Sequence, residues 1–84
     1  NEFPSNAALY VNRGNLQLVF GFSQKAIQDY TRAIHLDRQY AEAYYNRGLS
    51  HLLLFDSVSA CTDLEQSAEL GYDRALEKIK YFCQ

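Results

Sequence analysis

Tryptophan and methionine are absent from these 84 residues, proline occurs once, and there are four glycines and two cysteines. So little proline and glycine excludes collagen-like and low-complexity chains. Two cysteines 22 residues apart, with no neighbouring cysteine or histidine, make no zinc signature. Nor do they make a redox Cys-x-x-Cys. No apolar stretch approaches the roughly 18 residues needed to cross a bilayer, so no membrane insertion is expected. Charge of one sign is scarce too: the net charge is −2, and the lysines and arginines are scattered among acids. Nucleic-acid binders usually show a basic stripe, and no nucleic-acid partner is expected. The opening Asn1-Glu2-Phe3-Pro4 lacks the basic start and apolar stretch of a secretory leader. A chain without an initiator methionine reads as a fragment of a longer one.

What remains is an ordinary globular composition in one small domain, 1–84. Its order is not random. Laying Ala7–Tyr40 over Ala41–Arg74, at an offset of 34, gives ten identities. They include the run Asn12-Arg13-Gly14 over Asn46-Arg47-Gly48 and the pairs Tyr10/Tyr44, Ala26/Ala60 and Asp29/Asp63. The chain is one unit written twice, followed by a tail.

Each unit reads as two helices. The first runs from about Ala7 to Phe20 and is broken at Gly21, with Ser23 as an N-cap for the next. Ala26, Ile27, Tyr30, Ala33 and Ile34 then form one helical apolar stripe. The second unit repeats this from about Ala41 to Leu54, with a cap at Asp56 or Ser57 and the stripe Ala60, Cys61, Leu64 and Ala68. Gly71 suits a helix end, and about Asp73 to Phe82 reads as a fifth helix. Period-two alternation, the mark of a strand, is absent. Gly14 and Ala26, like Gly48 and Ala60, are small residues that let helix axes approach, while Tyr10, Tyr30 and Tyr44 fill the flanks. Asp29 and Asp63 read as surface acids in reach of Lys25 or Arg32.

On these residues the unit resembles the tetratricopeptide repeat, a helix–turn–helix of 34 residues. Ala41–Gly48 (AEAYYNRG) is especially similar. The resemblance implies an all-α fold of antiparallel helical hairpins, stacked as a short right-handed α-solenoid of about five helices. It divides the chain into repeats at 7–40 and 41–72 and a capping helix at 73–84. Three features depart from the family: Arg38 and Tyr72 replace the proline between repeats, Phe55 replaces the turn glycine, and only two repeats are present. With no breaker near Arg38, fusion of the flanking helices into one, and a domain-swapped dimer, is the alternative architecture.

The resemblance also implies where function lies: the first helix of each hairpin lines a concave groove for a peptide or partner helix. The residues facing it would be Val11, Asn12, Asn15, Val19, Glu42, Tyr45, Asn46 and Leu49, with Lys80 from the tail. Some members clamp a chaperone's C-terminal carboxylate. Asn15 and Asn46 occupy two places of that clamp, but Val11 replaces its first lysine. The expected function is a non-catalytic protein-binding scaffold without cofactor or metal. The alternative is an oligomerisation module, a groove-paired or swapped homodimer, motivated by Phe20, Phe22 and Phe55. No catalytic residue is assigned: His35 and His51 stand apart from any nucleophile. Arg13 and Arg47 are read as bracing the repeats.

Cys61 and Cys83 lie equidistant from residue 72, so they face one another if the last two helices are antiparallel. They are either a disulfide, which would point to an oxidising compartment such as a periplasm, or two reduced thiols, which leaves the cytoplasm open.

Overall fold

A computed structural model describes residues 6–84. The segment read as lacking a leader, and the first part of the proposed 1–84 domain, lie outside them. Five helices follow in order: α1 (Asn6–Val19), α2 (Ser23–Leu36), α3 (Ala41–Leu53), α4 (Ser57–Glu69) and α5 (Arg74–Phe82). There is no strand among the described residues. Each helix packs against the next in a compact all-α repeat arrangement.

Three of the four connections share one local solution. After α1, the Phe22 amide donates to the Gln17 carbonyl and the Gly21 amide to the Leu18 carbonyl. This is a Schellman closure, with Gly21 left-handed at φ 83°. Asp56 and Phe55 make the equivalent bonds to His51 and Leu52, and Tyr72 and Gly71 to Ser67 and Ala68. Gly71 has φ 98°, and Phe55 adopts φ 61° in the glycine's place. The second turn thus keeps its backbone and carries the strain of a Cβ in a left-handed residue.

Ser23 does not cap α2 as expected. Phe22 occupies that place without a side-chain cap bond, and Ser23 is the first helical residue. Asp56 does cap α4, accepting from the Ser59 amide. Hydrogen bonding from Ser59, through its hydroxyl and then its amide, holds the Asp56 carboxyl below the usual range. The Arg38 junction turns rather than fusing. Asp37 leaves the helix in an extended conformation, and its carboxylate accepts from the Gln39 amide. This short Asx-type turn does without proline.

The core has two parts. Tyr30, wholly buried, is packed with Ala7, Val11, Ala26, Ala33, Ile34 and Ala43. Tyr45, Leu64 and Ala75 form the second, with Ile79 and Tyr72 against them. Burying a side chain such as Leu64 stabilises by about 2 kcal/mol. The repeated glycines make room for the large residues: a Cβ on Gly14 would lie 2.7 Å from the Tyr30 ring, and one on Gly48 would lie 3.0 Å from Leu64 Cγ.

Asp29 and Asp63 are buried, not surface acids. Arg13 donates through Nε and Nη2 to Asp29 at 2.8 and 2.7 Å, and Arg47 donates likewise to Asp63 at 2.8 Å twice. Each fork clamps the two helices of one hairpin. A buried carboxylate needs such a partner, and the bidentate guanidinium supplies it. The bonds to these carboxylates also raise both guanidinium pKa values. The last helix is held by chemistry of another kind: Cys61 and Cys83 are joined as a disulfide, Cα atoms 5.6 Å apart, tying the end of α5 to α4.

Candidate functional site

The first helix of each hairpin and the last helix border a trough. At one end, Asn15, Leu18, Val19, Glu42, Asn46, Tyr72 and Arg74 line a cavity of about 400 Å³. At the other, Leu18, Leu49, Leu52, Leu53, Lys78 and Phe82 line one of about 410 Å³. Leu18 belongs to both, so the two adjoin: the amides and charges gather at one end, and the other is almost wholly apolar.

The polar end is organised by one oxygen. Asn15 Oδ1 accepts from the Tyr30 hydroxyl at 2.6 Å and from Asn46 Nδ2 at 3.0 Å. Both acceptor sites of that amide are taken, which fixes its orientation and leaves its NH2 as a donor. Burial, reinforced by Glu42 and Asp29, pushes the Tyr30 phenol well above its ordinary range. The Arg74 guanidinium is raised by its hydrogen bond with Tyr72.

Five of the nine expected groove residues do line the trough: Asn15, Val19, Glu42, Asn46 and Leu49. Val11 does not. It is 1% exposed, because its position on α1 turns it into the Tyr30 core. Tyr45 is also a core residue, its ring tilted against that of Tyr72 with centroids 4.9 Å apart. Asn12 is exposed and lines neither cavity. Lys80 lies over the Tyr81 ring, away from the trough. The face that α5 presents is Arg74, Lys78 and Phe82, spaced four apart. Ile79 and Cys83 pack inward. The i, i+4, i+8 spacing of those three residues was the available signal for them.

Arrangements for chemistry are weak. Among the described residues no group of three metal-ligating side chains converges, and no helix is long and apolar enough to cross a membrane. His51 stands 3.7 Å from Asp63 and 3.9 Å from Asp56. There is no nucleophile in that contact.

Comparison with known proteins agrees with the all-α repeat fold. A family model described as TPR repeat matches residues 24–54. The chain belongs to the tetratricopeptide-repeat family. It is 36% identical over 78 residues to serine/threonine-protein phosphatase 5 of Rattus norvegicus, covering 93% of this chain but 16% of the relative. The Homo sapiens protein of that name matches equally, at 36% over 78 residues. DnaJ homolog subfamily C member 7 of Mus musculus is 33% identical over 66 residues, 79% of this chain and 13% of the relative. The chain therefore spans about one sixth of the length of the phosphatases it matches. Tetratricopeptide repeats are in general non-catalytic protein–protein interaction modules.

Proposed function

We propose that this tetratricopeptide domain is a scaffold that holds an extended segment of a partner protein in the trough. The double occupancy of Asn15 Oδ1 carries the reading. With that oxygen satisfied, the Asn15 NH2 and the second hydrogen of Asn46 Nδ2 are donors suited to a peptide carbonyl or a terminal carboxylate. Glu42, at the same end, supplies an acceptor for a peptide N–H. The leucine-lined end suits one apolar side chain of the same peptide. An extended peptide presents carbonyls, amides and alternate side chains in that way.

Replacing Asn46 with Ala and Leu49 with Glu together tests it. A peptide selected on the native domain from a random displayed library should lose at least about tenfold in affinity by calorimetry, the order of one interface hot spot. The circular-dichroism melt should still show a folded domain. Undiminished binding by the double variant would remove the trough from consideration.

A further inference from the structure

A second surface shares no residue with the trough. Antiparallel hairpins bring the α1–α2 turn and the α3–α4 turn to the same edge. The contiguity is direct, since one cavity of about 300 Å³ is lined by Gly21, Phe22, Ser23, Gln24 and Lys25 from the first turn and Leu54 from the second. Phe20, Phe22, Leu54, Phe55 and Val58 all lie exposed there, Phe55 at 95%. A fully exposed aromatic side chain presents roughly 150–250 Å², so at their observed exposures these five offer on the order of 600 Å². That is the upper end of the largest apolar patch of a typical monomer, about 300–600 Å². It approaches the roughly 800 Å² per partner of a standard interface.

The patch has a shape as well as an area. Phe55 is a knob, held out by a left-handed backbone that a bulky residue adopts only at a cost. The cavity beside it is the hole, an open depression lined mostly by apolar surface. Charge follows the same plan: Lys25 lines the hole, and Asp56 follows the knob. A knob, a hole and opposite charges on one edge are self-complementary, the requirement of a two-fold contact.

We propose that this edge is a self-association face, where Phe55 of each copy enters the cavity between the two turns of the other. Asp56 then meets the partner copy's Lys25. The proposal is independent of peptide capture in the trough.

Sedimentation equilibrium over a range of concentrations tests it on the native chain and on Phe55→Asp, Phe55→Gly and Lys25→Glu. The native chain should form dimers that dissociate on dilution. Phe55→Asp should raise the dissociation constant about a hundredfold, as loss of a buried aromatic anchor does. Phe55→Gly should weaken the dimer too while raising the melting temperature of the monomer, a combination that general unfolding cannot produce. Lys25→Glu should weaken it most at low salt. A native chain that stays monomeric up to its solubility limit would overturn the proposal, as would a dimer indifferent to Phe55→Asp. Monomers that instead co-sediment with phosphatidylcholine–phosphatidylglycerol vesicles through Phe55 would overturn it in favour of a lipid surface.

Discussion

The two hairpins are built from one plan and solve different problems. Both clamp a buried aspartate with an arginine 16 residues earlier. Both seat a large side chain against a glycine. Yet the Arg13 side chain is 60% exposed and that of Arg47 only 21%. Arg47 also donates to Thr31 Oγ1 on α2 at 3.1 Å, so it binds the repeats to each other as well as its own hairpin. Ser67 reinforces the second hairpin, donating to the Ala41 carbonyl at 2.9 Å. The same motif is therefore worth different amounts by its place in the stack: a packed neighbour excludes the water that otherwise screens an ion pair.

Three measurements sharpen the contrast. The largest effect should come from Cys83→Ser, because only the second hairpin is tied covalently to the cap. Opening a 22-residue loop should cost about 3 kcal/mol by the loop-entropy estimate, read as a lower denaturant midpoint in oxidising buffer. The native protein in reductant should match the variant, and equal midpoints throughout would show that the bond adds nothing. Next, Asp63→Ala should lose about 2 kcal/mol, since it strands a half-buried guanidinium. Asp29→Ala should lose distinctly less, because Arg13 can turn to solvent. Equal losses in urea melts would erase the distinction between the hairpins. Smallest is the exchange at the turns. Phe55→Gly should gain about 1 kcal/mol by relieving a left-handed residue, and Gly21→Ala should lose about as much.

Most of the architecture was legible because it is periodic. The 34-residue offset and the apolar stripes place five helices to within about two residues of those observed. The site was less legible, for a reason that Val11 and Tyr45 make plain. Groove-facing and core-facing positions of α1 and α3 differ by one residue, about 100° of helix rotation, and both kinds are apolar here. On α5 the expected Lys80 lies two residues, about 200° of rotation, from Lys78, which lines the trough instead. The buried pairing of Asp29 and Asp63 was missed because local spacing offered Lys25 and Arg32 as partners. The true partners lie on the neighbouring helix, and the duplicated Arg13/Arg47 was the clue. Phe55 was visible as a departure from the repeat. That the turn would keep its glycine conformation was not, because the cost of φ 61° is set by the two flanking hydrogen bonds that outweigh it.

The sulfur bridge also decides how the molecule would respond to mechanical load. With Cys83 bonded to Cys61, tension applied beyond residue 83 passes straight into α4 and leaves α5 slack. Those 22 residues hold about 75 Å of contour that stretching cannot release until the bond is cut. A pulling experiment would see the chain lengthen by that amount on adding reductant.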